Sequence, residues 1–276
     1  AVVYPSAGNL GGGGFMLIAK ANGEVSALDH REIAPQAAHR DMFLDSNGNV
    51  DRNLALNSSQ SSGVPGSVAG LLEALQAHGT MSREQVIAPA IKLAEAGFIL
   101  NEDLASQFAD NLGAFRQTPA SLAVFSKNGQ PYVAGDLWQQ PDLAQTLHRI
   151  IADGRDGFYK GETADLIVAE MQRDNGLMTH ADLAEYLPVW REATHGEYRG
   201  YDIWSMPPPS SGGILLVQML NMLEPYDLRH NGWGSAATVH LMIEAQRRAY
   251  ADRAEYLGDP EFVDVPMDRM TSKAYA

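Results

Sequence analysis

Four consecutive glycines, Gly11 to Gly14, stand directly before an apolar, β-prone run at residues 15–19. Glycine has no Cβ, so such a run belongs where the backbone bends tightly or comes close to a ligand or a partner chain. Its setting argues against two nucleotide-binding folds. A phosphate loop needs Lys-Ser or Lys-Thr after the last glycine, and Phe15-Met16 follows instead. A dinucleotide fingerprint needs a strand before its glycines and a helix after them, and here the strand comes after. Asn22-Gly23 separates this strand from a second β-prone run at 24–29, which predicts a hairpin. The second strand ends in Asp29-His30-Arg31-Glu32.

From there to Gly176 the spacing of apolar residues turns mostly helical. Ser67 opens a helix with Val68, Leu71, Leu72 and Leu75 at helical spacing and Gly79 as its stop. Ser82-Arg83-Glu84-Gln85 has the form of a capping box and opens a helix that ends at Gly97. Further helices are expected over 101–112, Pro141–Asp153 and Gly161–Arg173. A small hairpin is expected from 123–125 and 132–133 around Asn128-Gly129. Towards the end of the chain, 198–205 reads as a strand, 214–223 as a buried helix and 236–257 as a long amphipathic helix closed by Gly258. There is no internal repeat and no low-complexity linker. The expectation is one domain over residues 1–276, α/β or α+β and layered, with more helix than strand.

Composition narrows the function. Acidic residues outnumber basic ones, 34 against 20, for a formal net charge of −14. The longest basic cluster is Arg247-Arg248, so a phosphate-binding footprint for nucleic acid is missing. The longest apolar candidate, 214–220, is interrupted by Gln218 and falls far short of the ~18 residues a membrane span requires. There is no cysteine, which removes disulfides, thiolate catalysis, zinc–thiolate sites and iron–sulfur clusters together. The eight histidines are scattered, with no H-E-x-x-H and no close pair on one helix face, so no metal is expected. The start at Ala1-Val2-Val3-Tyr4-Pro5 reads as a mature or trimmed chain.

Three strings could carry chemistry. Pro207-Pro208-Pro209-Ser210-Ser211-Gly212-Gly213 cannot be helix or central strand, so it reads as a rigid extended loop, with Ser211 or Ser210 capping the following helix. A serine nucleophile is the competing reading, although Pro occupies the place of the first glycine in a G-x-S-x-G elbow. Asp252-Arg253 and Tyr256, followed by Gly258-Asp259-Pro260, read alone as an ion-paired helix end and a turn. Arg31, between Asp29 and Glu32 at a strand end, has two readings. One is a salt bridge with those neighbours. The other is a planar fork for a substrate carboxylate.

Taken together the strings resemble a known family. Gly8-Asn9-Leu10-Gly11-Gly12-Gly13-Gly14-Phe15-Met16, Asp29-His30-Arg31-Glu32-Ile33-Ala34-Pro35 and Gly63-Val64-Pro65-Gly66-Ser67-Val68-Ala69-Gly70 come in that order. Asp182-Leu183-Ala184-Glu185-Tyr186, Tyr198-Arg199-Gly200-Tyr201, residues 206–213, Ala249-Tyr250-Ala251-Asp252-Arg253 and Gly258-Asp259-Pro260-Glu261-Phe262-Val263 complete the series. Their order and spacing resemble the large subunit of the γ-glutamyltransferases (γ-glutamyltranspeptidases) over essentially the whole chain. The resemblance implies the four-layer αββα fold of the N-terminal nucleophile hydrolases, of which this chain would supply the larger, helix-rich part. It implies a precursor that cleaves itself and a separate, non-covalently held small subunit whose N-terminal threonine is the nucleophile. No catalytic residue is then expected in this chain. The donor would be glutathione or a similar γ-glutamyl compound, the acceptor water, an amino acid or a peptide, and no cofactor is implied. Carried over by position, the family's R-E-x-A-P arginine falls on Arg31, the residue implied to bind the α-carboxylate of the γ-glutamyl group. The family's segment before the glycine motif and everything after Ala276, including the processing site, lie outside this sequence.

Two other activities fit the same fold: an acylase that removes a glutaryl-type side chain from a β-lactam nucleus, and a binding protein that has lost the chemistry. A periplasmic or secreted location is implied by the resemblance alone.

Overall fold

The computed structural model describes residues 1–276. By backbone proximity the chain divides into two compact units, Ala1–Gly14 with His30–Pro188, and Phe15–Asp29 with Val189–Ala276. The single-domain expectation rests on linker composition. The crossings between units fall inside the first hairpin and at Pro188, in sequence that carries no linker signature.

The first unit is helical. Its main core gathers Val68, Ile91, Ala94, Leu147, Ile150, Tyr159 and Leu183 from successive helices. Ser67–His78, Arg83–Ala96, Pro141–Asp153 and Gly161–Arg173 form where the apolar spacing places them. The capping box of Arg83–Ala96 is made in full, with Gln85 N–H on the Ser82 hydroxyl and the Gln85 side chain on Ser82 N–H. Gly97 ends that helix at a φ of 77°, which a side chain would strain. A second, aromatic core surrounds Phe108 and the fully buried Trp138, whose rings meet edge-on at 4.8 Å.

That aromatic core overturns the hairpin expected from 123–125 and 132–133. Residues Pro119–Phe125 are helix, with Pro119 pre-setting the first turn. Phe125 stacks on Phe115 at 4.9 Å, and the Trp138 indole donates to Val124 O at 3.0 Å. The Asn128-Gly129 turn does form, but it closes only an isolated bridge between Lys127 and Gln130.

The second unit holds a three-stranded sheet in the order Gly14–Ala19, Val25–His30, Val189–Arg191. Val25–His30 and Val189–Arg191 run antiparallel, with Leu28 opposite Trp190. The predicted hairpin is therefore present and gains a third strand from far along the chain. The single strand expected over 198–205 is instead the second half of another hairpin, Thr194–Tyr198 with Tyr201–Ser205. Its two-residue turn is Arg199-Gly200, both at positive φ. Arginine is a poor signal for such a turn. Tertiary contacts hold it there, Arg199 N–H on Glu224 Oε1 at 2.9 Å and its guanidinium on Tyr226 O at 2.6 Å.

Gly212–Leu223 packs on the long helix Ala236–Tyr256. Ser211 at the start of the first of these makes no capping bond. Its hydroxyl accepts from Arg253 Nε at 3.0 Å, while Ser210 Oγ takes Gly212 N–H at 3.2 Å. Asp252 accepts from the Gln218 amide, which lies fully buried between the helices. Asp252 and Arg253 therefore tie the long helix to its neighbour, in place of the ion-paired helix end read from sequence. Tyr256 lies under the Arg269 guanidinium at 5.5 Å. The Gly258-Asp259-Pro260 turn forms as expected, with Asp259 Oδ1 accepting from Glu261 N–H at 3.0 Å.

Candidate functional site

The segment after Val25–His30 carries the arginine singled out from sequence, and its backbone is enclosed by glycines. Gly12 O accepts from Gly66 N–H at 2.8 Å and Ser67 N–H at 2.9 Å, fastening the glycine run to the start of Ser67–His78. A Cβ on Gly13 would lie 2.6 Å from His30 O and 2.8 Å from Glu32 N. On Gly66 it would overlap the Tyr186 hydroxyl and the His30 carbonyl, and on Gly70 the His30 ring. Ile33 and Val64 exchange backbone hydrogen bonds of 3.3 and 2.8 Å. The sequence offers a tight bend or an approach to a ligand or partner chain for the glycine run; the structure differs, because what Gly12 and Gly13 approach is another stretch of the chain's own backbone.

A short motif late in the unit grips the same segment from its side chains. Tyr186, 1% exposed, donates its hydroxyl to Arg31 O at 2.8 Å. The Asp182 carboxylate accepts from Gln36 N–H at 2.8 Å, and Glu185 from the Gln36 amide at 2.7 Å. Asp182 also completes a capping box with Thr179. Three side chains of Asp182-Leu183-Ala184-Glu185-Tyr186 thus fasten residues 31–36. In the sequence this motif is only a mark of resemblance. The spacing of Thr179 and Asp182 is a local signal for the capping box, and nothing local signals the tyrosine bond.

Burial alone pushes the Asp182 carboxyl up. Hydrogen bonds from Gln36 N–H, the Thr179 hydroxyl and N–H, and its own N–H outweigh burial and hold it below its ordinary value of 3.8. A depressed native value means stabilisation that is present above pH 3.8 and lost as pH falls through the native value. Asp182→Asn is therefore expected to cost about 1.5–3 kcal/mol at pH 7, the range for hydrogen bonds to a charged group. The difference from the unsubstituted protein should shrink below pH 3.8. Urea unfolding of both proteins from pH 7 to 3 checks this, and a difference that does not change with pH would contradict it.

Against this fixed backbone the Arg31 side chain is 56% exposed, with Nε 3.3 Å from Glu32 Oε2. An exposed pair of this length contributes little to stability. Asp29, the other acidic neighbour, receives Arg191 Nε and Nη2 at 2.9 Å within the second unit. The arrangement is suited to present a guanidinium from a rigid mount, and guanidinium is the group that takes a carboxylate at two points.

The other candidates do not form a second site. Ser211 Oγ takes its bond from an arginine, which cannot serve as the base a serine nucleophile needs. No three His, Cys, Asp or Glu side chains are grouped to hold a metal ion. No helix is long and apolar enough to cross a membrane.

Comparison with known proteins decides the family. The family model described as gamma-glutamyltranspeptidase matches residues 1–276. This chain belongs to the γ-glutamyltranspeptidase family. It is 51% identical over 281 residues to the glutathione hydrolase proenzyme of Escherichia coli (strain K12), covering 100% of this chain and 48% of that protein. The crystal structure of Helicobacter pylori gamma-glutamyltranspeptidase superposes with a TM-score of 0.97 at 46% identity, over 99% of this chain and 79% of that one. The Acylase ACY 1 proenzyme of Pseudomonas sp. (strain SE83) is 38% identical over 271 residues, 96% of this chain and 49% of that protein. The chain spans about half the length of the curated relatives it matches, 48% for the first of them. The mixed helix-and-sheet class and the likeness to N-terminal nucleophile hydrolases expected from the sequence are those of these γ-glutamyltranspeptidases.

Proposed function

We propose that this chain is the large-subunit part of a γ-glutamyltransferase that transfers or hydrolyses the γ-glutamyl group of glutathione and related compounds. The observation that carries the reading is Arg31, a guanidinium exposed on a backbone held by Gly12, Gly13, Gly66 and Tyr186. Arg31 grips the donor's α-carboxylate through two parallel N–H···O bonds and so fixes the distance to the γ-carbonyl. The nucleophile, an N-terminal threonine, comes from a separate small subunit held non-covalently. Its hydroxyl oxygen attacks the γ-carbonyl while its own α-amine takes the proton. The C–N bond breaks, the amine leaves with that proton, and the γ-glutamyl group stays on the threonine as an ester. Water or the amine of an amino acid or peptide then opens the ester and restores the hydroxyl. No cofactor enters these steps, and a periplasmic or secreted location accompanies the reading.

The relative named as an acylase favours a second reading, in which Arg31 holds the carboxylate of a glutaryl-type side chain with no neighbouring amine. Expression of the complete reading frame separates them. The proposal expects cleavage into two chains, one starting with threonine, turnover of a γ-glutamyl anilide by the pair, and none by residues 1–276 alone. Faster turnover of the glutaryl anilide would favour the acylase. An uncleaved, inactive product, or turnover by this chain alone, would overturn both.

A further inference from the structure

The exposed Arg31 side chain stands on a peptide group whose carbonyl is buried against Tyr186. That tyrosine is itself held on three sides. Its ring stacks on Tyr159 at 5.8 Å with the planes 5° apart. Its carbonyl, with that of Ala184, accepts from Arg155 Nη2. Gly66 leaves the space its hydroxyl occupies. Tyr159 is fixed in turn, donating to Pro65 O at 2.7 Å and accepting from Ala69 N–H at 3.2 Å, with the Arg155 guanidinium 4.7 Å from its ring centre. Burial pushes the Tyr159 phenol up to about 12, against the Ala69 N–H and the Arg155 charge, so it stays a donor across the working range of pH.

An arginine reaches its ligand through several rotatable bonds, so the direction of its Cα–Cβ bond decides which rotamers arrive. That direction turns with the Arg31–Glu32 peptide, and the Tyr186 hydroxyl fixes the carbonyl of that peptide. We propose that Tyr186, backed by Tyr159 and Arg155, is a positioning residue that aims Arg31 at the carboxylate of the donor. The proposal rests on the reading that Arg31 receives that carboxylate. Neither tyrosine touches substrate. Tyr186 acts through the arginine alone, which makes its effect specific to ligands that carry the group Arg31 grips.

The test uses the complete, processed enzyme and two competitive inhibitors of donor turnover. L-glutamate carries the α-carboxylate, and 4-aminobutyrate is the same molecule without it. Tyr186→Phe keeps the ring stack and removes the hydroxyl. It is expected to raise Ki for glutamate about tenfold, within the range a small misplacement of a binding group produces, and to leave Ki for 4-aminobutyrate within about twofold. In an Arg31→Ala background the same substitution should change neither, because the group it positions is gone. Tyr159→Phe retains the stack and loses the bonds to Pro65 and Ala69. It should move the glutamate value in the same direction by less, and it serves if Tyr186→Phe does not accumulate. A rise shared equally by both inhibitors, or a full additional loss on top of Arg31→Ala, would overturn the positioning role while leaving the Arg31 reading intact. If Arg31→Ala does not itself separate glutamate from 4-aminobutyrate, the Arg31 reading fails first, and the proposal with it.

Discussion

In the assembled enzyme, Arg31→Ala is expected to lower kcat/KM for a γ-glutamyl donor by roughly a hundred- to a few-thousand-fold. The figure supposes that the bound donor buries the pair, in which case removing one partner costs about 3–5 kcal/mol, with each 1.4 kcal/mol a factor of ten. Arg31→Lys keeps the charge and loses the two-point fork, so about 1.5–3 kcal/mol, or roughly ten- to a hundredfold, should go. Self-cleavage and acceptor affinity should change much less, since the acceptor meets the acyl-enzyme after the donor's leaving group has gone. The Arg31 side chain is 56% exposed, where ion pairs and hydrogen bonds contribute little, so neither substitution should move Tm by more than about 2 °C. A fall in Tm with unchanged kcat/KM would reduce Arg31 to a structural ion pair.

Gly66→Ala is expected to destabilise the first unit strongly. Gly66 has a φ of −112° and a ψ of −12°, which alanine adopts readily, so no backbone strain is involved. The cost is steric: the new methyl would overlap the His30 carbonyl and the Tyr186 hydroxyl, and neither can move without disturbing the Arg31 segment. Overpacking of this kind costs about 3 kcal/mol, or roughly 6–12 °C in Tm for a chain of this size. Donor kcat/KM should fall as well. Gly11→Ala is the matched control, since its Cβ would meet nothing within 4 Å and Tm should hold within about 2 °C. Equal losses at the two positions would mean that flexibility, rather than close approach, is what the glycines supply.

The helices were legible wherever a cap, a spacing and a stop agreed. Ser82-Arg83-Glu84-Gln85 with Gly97 bounds a helix that forms over Arg83–Ala96, and the helix expected over Pro141–Asp153 forms at those bounds. Where one signal stood alone the sequence misled. Asn128-Gly129 is a sound turn signal, yet Val124 and Phe125 before it follow Pro119 into a helix because an aromatic core receives them. Arg199-Gly200 is a poor turn signal, yet Glu224 and Tyr226 hold Arg199 at positive φ.

Arg31 could be chosen from sequence because its motif carries a family pattern and its side chain a particular geometry. The sequence by itself determined where most elements begin and end, the lack of cysteine chemistry and the residue worth testing, because these depend on neighbours a few positions apart. Only the tertiary structure decided which neighbours hold that residue. Tyr186 meets Arg31 across 155 positions, and Asp182 meets Gln36 across 146. Such contacts leave no local trace, since a buried tyrosine reads as core until the carbonyl that its hydroxyl reaches is known. For the same reason the four glycines left a bend and a close approach both open, and only the fold set Gly13 against the backbone of residues 30–32.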